Sequence, residues 1–176
     1  MRRRIIVSAV IILILALLQM SVLPWIPAVF LQPNLLLVFV VSTGFMRGRR
    51  SGIWMGFACG LVLDLFYGPG LGFHALLLML IGYANGFLCK IFFDEDLKMP
   101  VILVSVSELF YGICFSIYTM LSGGHYSFWK YVRLAILPEL ISSVIFTFIL
   151  YKIFFMINQR LSAYELEEQQ SPWLRK

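Results

Sequence analysis

Six apolar runs separated by short polar knots make up most of this chain. They span Ile5–Leu23, a stretch from Leu31 or Pro33 to Met46, Gly52–Tyr67, Leu71–Phe92, Met99–Leu121 and about Leu134–Ile157. A helix needs roughly 17–25 apolar residues to cross a bilayer's hydrocarbon core. The pattern therefore predicts an all-α integral membrane protein with about six transmembrane helices. The second and third runs are the shortest. They are expected to be tilted or packed deep among the others, and the charges between them disfavour a re-entrant pair. The first run exceeds the roughly 7–15 residues of a signal-peptide core and has no clear A-x-A site after it. It reads as an uncleaved span.

The polar knots are basic, and they fall on one side. Arg2, Arg3 and Arg4 precede the first run. Arg47, Arg49 and Arg50 separate the second and third. Lys90 and Lys98 lie between the fourth and fifth, and Lys152, Arg160, Arg175 and Lys176 lie at or after the end of the sixth. With six spans these twelve share one side, against Lys130 and Arg133 on the other. Lys and Arg mark the cytoplasmic side, so both termini are expected there. Residues 1–158 then form a six-span domain and 159–176 a short cytoplasmic tail, which can extend the last helix by a turn or two before Pro172. The outer connections read "PWIPAVFLQPN", "YGPG" and "SGGHYSFWKYVR". Trp25, Tyr126, Trp129 and Tyr131 suit an interfacial aromatic belt.

Composition supports the membrane assignment. Of 176 residues, 61% are hydrophobic and 13% charged, about half the charged fraction of a soluble domain. The net charge of +5 resides in the flanking clusters, not in a basic groove with interleaved aromatics, so nucleic acid is not an expected partner. Cys59, Cys89 and Cys114 sit singly in apolar runs without metal-ligand spacing. No metal, cofactor or disulfide framework is expected. His74 and His125 share no spacing and are expected near the outer interface. No HExxH or GxSxG occurs, and the polar side chains are too few for a transferase site. Catalysis is not expected.

The third run carries the most information: "GIWMGFACGLVLDLFYGPGLGFH". Gly52, Gly56 and Gly60 recur every fourth residue, close to one helix face. Small residues let helices pack closely in lipid, where there is little hydrophobic drive between them. Gly82 and Gly86 repeat the spacing in the fourth run. These five glycines are expected to pack the two helices as a hairpin or to receive another protein's helix. The RGRR turn should end the strip before Gly48 and Gly44.

Asp64 completes the strip's spacing, about 18 Å along the helix from Gly52. A carboxylate there can accept backbone N–H groups at the start of the next helix, around Gly72–His74, and face its positive end. Partner contact is the other possibility. Glu108 lies about 14 Å into the fifth run, where ionisable residues are costly and are functional suspects by default. Ser105, Ser107 and Tyr111 are near enough in sequence to solvate it. It is expected to be a buried hydrogen-bonding group, or to line a polar cavity or partner contact. Glu139 follows Pro138 in the first turns of the sixth helix, within reach of Arg133.

The stretch "PNLLLVFVVSTGFMRGRRSGIWMGFACGLVLDLFYGPGLGFHALLLMLIGYANGFL" resembles the bacterial rod shape-determining MreD family. Pro-Asn opens the second span. An RGR-type turn, G-x-x-x-G-x-x-x-D-L and a Gly-rich turn follow, and "LPELISSVIF" fits the family's final helix. The resemblance implies a non-enzymatic membrane subunit of the machinery that elongates the lateral cell wall. Its implied partners are MreC and, directly or through it, MreB, RodA and the penicillin-binding transpeptidase. It also implies a fold similar to the substrate-binding subunit of energy-coupling-factor transporters. From that likeness comes the rival expectation, a small-molecule (vitamin-type) binding subunit of a membrane transporter.

Overall fold

A computed structural model describes residues 2–22, 33–67, 72–88, 98–122 and 132–170. Its ordered elements are helices: α1 (Arg2–Leu17), which continues through a π-helical turn at Leu18–Val22, α2 (Leu35–Arg47), α3 (Arg49–Tyr67), α4 (Phe73–Leu88), α5 (Lys98–Leu121) and α6 (Leu137–Gln170), entered through a second π-helical turn at Val132–Ile136. Among the described residues, three stretches are long and apolar enough to cross a membrane: Arg4–Ser21, Met99–Leu121 and Val132–Tyr164. Helices α2 and α4 are apolar but shorter. The outer connections, with Trp25, His125, Tyr126, Trp129 and Tyr131, fall outside the described residues, as do Cys89, Lys90 and the tail from Ser171.

The molecule is apolar outside and holds polar side chains among the apolar ones inside. Ile5, Leu13, Trp54, Leu65, Phe66, Leu76, Val106 and Ile145 are all more than half exposed. Asp64, His74, Asn85, Glu108, Ser142, Ser143 and Thr147 are buried. In water this arrangement would be costly. In hydrocarbon it puts apolar side chains against lipid and lets polar ones satisfy each other.

Helix α2 shows why a short run suffices here. Its 13 residues rise only about 20 Å at 1.5 Å each, well short of the ~30 Å core. Leu35 to Phe45 is buried on every face, as an all-round apolar helix should be. Helices α1, α3, α4, α5 and α6 all pack on it, so lipid thickness does not set its length. Its two hydroxyl residues turn inward onto their own helix: Ser42 donates to the Val38 carbonyl at 2.7 Å and Thr43 to that of Phe39 at 2.8 Å.

One residue joins α2 to α3. Gly48 has φ +82°, and its N–H donates to the Gly44 carbonyl at 2.8 Å. That left-handed conformation favours glycine. The RGRR knot therefore interrupts the helix only at Gly48, and α3 resumes at Arg49. Two arginines anchor this end. Arg47 Nε donates to Asn158 Oδ1 on α6 at 2.7 Å, and the Arg49 guanidinium lies 4.2 Å from the centre of the Phe87 ring on α4. The last helix runs without interruption past Asn158 to Gln170.

Candidate functional site

The glycines of α3 face α4 of the same chain. A Cβ on Gly52 would fall on the Gly82 carbonyl, one on Gly56 on the Leu78 carbonyl, and one on Gly60 on the Ala75 Cα and His74 carbonyl. The reciprocal positions on α4 are equally tight: a Cβ on Gly82 would meet the Gly52 carbonyl, and one on Gly86 would stand 2.6 Å from the Arg49 backbone. The neighbouring atoms are mostly backbone, so a side chain cannot be admitted by a rotamer change. Gly44 joins the seam from α2. A Cβ there would lie 2.8 Å from the Gly82 carbonyl, so three helices converge on one bare spot. The spacing placed Gly44 in register with the strip. The expected break at RGRR hid it, because a single-residue turn keeps α2 beside α3.

Asp64 closes the seam at the far end. Its Oδ2 accepts from Gly72 N–H at 2.9 Å and Ala75 N–H at 3.0 Å, and its Oδ1 from His74 N–H at 2.9 Å. These are donors that the first turn of α4 cannot satisfy within the helix. The positive end of α4 adds to the attraction. His74 Nδ1 stands 3.2 Å from Asp64 Oδ1. His74 is buried within the protein. Its ring packs edge-on against Phe73, Tyr111 and Phe115 at 5.4, 5.9 and 5.5 Å between centroids.

Glu108 is 2% exposed, but the serines nearest in sequence do not serve it. Ser105 donates to the Val101 carbonyl at 2.8 Å. Ser107 points to α4, where Asn85 Nδ2 donates to its Oγ at 2.9 Å. Glu139 and Ser143 of α6, which packs on α5, are the polar groups near Glu108. No donor reaches either Glu108 oxygen in hydrogen-bonding geometry among the described residues. Glu139 in turn approaches Asn34 as well as Glu108, and no ion pair joins it to Arg133. Asn34 ties the group together: its N–H donates to Ser143 Oγ at 3.0 Å, and its Oδ1 caps α2 by accepting from Leu37 N–H at 3.2 Å. Tyr111, one turn from Glu108 on α5, borders the His74 ring.

Four contributors escaped the sequence reading: Gly44, Asn34 as a buried cap, Asn85 and Ser143. Asn85 was the most visible, a lone amide in the apolar "LIGYANGF". It bridges α4 to α5 and also donates to the Ile81 carbonyl at 2.9 Å. Around it α4 and α5 splay apart. A cavity of about 270 Å³ opens there, lined by Leu80, Ile81, Ala84, Asn85, Val106 and Phe110 among others.

Taken together, these features define a small helical membrane protein with buried carboxylates, a glycine-packed hairpin and an apolar exterior. The sequence profile described as rod shape-determining protein MreD matches residues 1–161, and the chain belongs to that family. No curated protein and no solved structure matches it. Membership makes it a bacterial membrane protein of the rod-shape-determining class.

Proposed function

We propose that this protein is a non-enzymatic subunit of the cell-wall elongation complex that binds MreC and so supports rod shape and lateral peptidoglycan synthesis. Family membership across residues 1–161 carries the proposal. In this reading the chain crosses the bilayer six times with both termini cytoplasmic, in a fold similar to energy-coupling-factor substrate-binding subunits. Residues 1–158 form the membrane domain, and 159–176 form a tail on the cytoplasmic side. MreB, RodA and the penicillin-binding transpeptidase are reached directly or through MreC.

The glycine seam is filled by α4, so Gly52, Gly56, Gly60, Gly82 and Gly86 act by packing the hairpin, and Asp64 by capping it. A partner helix then needs another surface. The splayed α4–α5 cleft over Asn85 offers one, since it is concave, apolar and open where neighbouring helices are closed. Site-specific photocrosslinking in growing rods tests this. Probes at Leu80, Val106 and Phe110 should capture MreC, and probes at Ile145 and Ile149 on the exposed face of α6 should not. Failure to capture MreC from any lipid-facing position would overturn the scaffold reading. Capture only from α6 would move the interface while keeping the partner.

A further inference from the structure

The cleft between α4 and α5 is apolar except at one point on its wall. Asn85 and Ser107 line it, and they are only 4% and 6% exposed. Asn85 Nδ2 spends both its protons inside the protein, one on the Ile81 carbonyl and one on Ser107 Oγ, each at 2.9 Å. A carbonyl only accepts, so the Ile81 bond also fixes which way the amide faces. Two capacities are left over: the lone pairs of Asn85 Oδ1 and the hydroxyl proton of Ser107. Neither has a partner among the described residues. We propose that this pair is a register-setting notch: a transmembrane helix lying in the cleft places one hydroxyl or carboxamide side chain (Ser, Thr, Asn or Gln) against Asn85 and Ser107. This rests on the reading above, that a partner helix occupies the cleft. It adds which side chain the partner brings and what the contact does.

Ser107 departs from the other hydroxyl residues of these helices. Ser42, Ser105, Thr119 and Ser142 each donate to the carbonyl one turn back along their own helix, at 2.7–2.9 Å. That satisfies a hydroxyl in hydrocarbon without help from outside. Ser107 is held by Asn85 instead, and its proton stays available. Lipid tails offer neither donor nor acceptor, so tails filling the cleft would leave both groups bare. A hydroxyl or a carboxamide carries donor and acceptor together and answers both at once.

The dimensions suit a helix. Leu80, Ala84 and Leu88 form one rail on α4, and Leu103, Val106 and Phe110 the other on α5. At 1.5 Å per residue these rails run about 12 and 10 Å, two turns of a helix laid along them. The volume of about 270 Å³ lies below the roughly 300–1,000 Å³ of small-molecule pockets and fits a few side chains better than a whole metabolite. Leu80, Val106 and Phe110 are 48%, 61% and 43% exposed, so apolar contact is on offer at both sides of the notch. Apolar contact alone admits a helix at many axial positions, because one Leu fits much as the next does. A single polar group does not, and one buried polar contact fixes register in coiled coils for the same reason. Shape admits the helix, and the notch sets where along its length it stops.

Mapping the MreC residues that face the cleft tests this. Photocrosslinkers at Leu80 and at Val106 of the full-length protein, in growing rods, are read by mass spectrometry for the MreC residue each captures. Wild type should give one narrow set of sites, within a turn of a Ser, Thr, Asn or Gln in the MreC transmembrane helix. Ser107→Ala should spread those sites over several turns while lowering the yield only roughly threefold, the size of one interhelical hydrogen bond. Ser107→Thr keeps the hydroxyl and should restore the narrow set. Changing the captured polar residue of MreC to Leu should spread the sites in wild type and add nothing in Ser107→Ala. If Ser107→Ala fails to accumulate, the MreC substitution decides alone. Sites on a stretch of MreC with no such residue, or a set left narrow by Ser107→Ala, would overturn the notch and leave the MreC reading standing. Capture of phospholipid alone by both probes, with MreC captured elsewhere, would also overturn it and give the cleft to lipid tails. Capture of MreC from no lipid-facing position would overturn both.

Discussion

Replacing Asp64 by alanine should be among the most damaging changes at a position with no part in partner binding. Asp64 accepts three backbone N–H groups at 2.9–3.0 Å. A hydrogen bond to a charged group contributes roughly 1.5–3 kcal/mol, and a buried donor left unsatisfied costs roughly 1–3 kcal/mol. The three do not contribute equally. Gly72 is exposed, so other acceptors can replace its bond. His74 and Ala75 are buried, and their N–H groups have no such substitute. Two orphaned donors place the loss for Asp64→Ala at roughly 3–5 kcal/mol. Asp64→Asn keeps one acceptor oxygen but turns an NH₂ towards a backbone N–H, so roughly 1.5–3 kcal/mol should be lost. Reversible SDS unfolding in mixed micelles, followed by far-ultraviolet circular dichroism, measures both. The expected order of stability is wild type, then Asn, then Ala. An Asn variant within about 0.5 kcal/mol of wild type, a difference typical of neutral surface changes, would show that the cap is not what holds the α3–α4 hairpin. An Ala variant no weaker than Asn would discard the argument from orphaned donors.

Gly60→Ala adds one methyl group against the Ala75 and His74 backbone. It should cost roughly 1–3 kcal/mol as overpacking does, visible as a lower melting temperature, whereas Gly72→Ala adds a methyl to open space and carries only the strain of φ +106°. Gly44→Ala should behave like Gly60→Ala, because its Cβ would also meet backbone; tolerance comparable to a surface site would remove α2 from the seam. Asn85→Leu breaks the bridge to Ser107 at 2.9 Å. By analogy with other interhelical bonds in membranes it should lose only about 0.6 kcal/mol, while disturbing MreC crosslinking from Leu80 and Val106 far more than it disturbs folding.

Local spacing carried a good part of this architecture. Glycines four apart lie near one face wherever the helix goes, so the Gly52–Gly60 strip and its Gly82–Gly86 counterpart were readable before their neighbours were known. The contact of Asp64 with the start of α4 was readable too, because a carboxylate eight residues before Gly72, across a glycine-rich turn, has a short loop to bridge. The shortness of α2 left two alternatives, tilting or deep packing, and burial from Leu35 to Phe45 selects the second. The environment of Glu108 was not readable. Ser107 is adjacent in sequence but turned about 100° around the helix, which carries it to Asn85 on α4. The polar groups near Glu108 lie 31 and 35 positions further on, beyond a loop whose path no local pattern specifies. Pro138 marked Glu139 as a helix-start residue, which is correct, but helix starts alone do not reveal what they pack against.

The placement of polarity constrains how such a protein can recognise another. The buried side chains that usually confer specificity are turned inward here: Asp64 to the α4 backbone, Asn85 to Ser107, Glu108 to α6. The exposed helix faces are Ile, Leu, Val, Phe and Trp, and lipid tails compete with any partner for them at nearly equal gain. Selection among membrane proteins must then come from shape, since close packing survives where hydrophobic drive does not. A cleft lined by Asn85 among apolar side chains has shape. The same reasoning makes rigidity part of function. A concave site selects by fit only if its walls hold still, and the glycine seam and the Asp64 cap both lock α4, one wall of the cleft, to α3. Variants at those positions should therefore weaken capture of MreC from the cleft in proportion to the stability they lose. A variant that loses several kcal/mol yet is crosslinked normally would separate recognition from this scaffold.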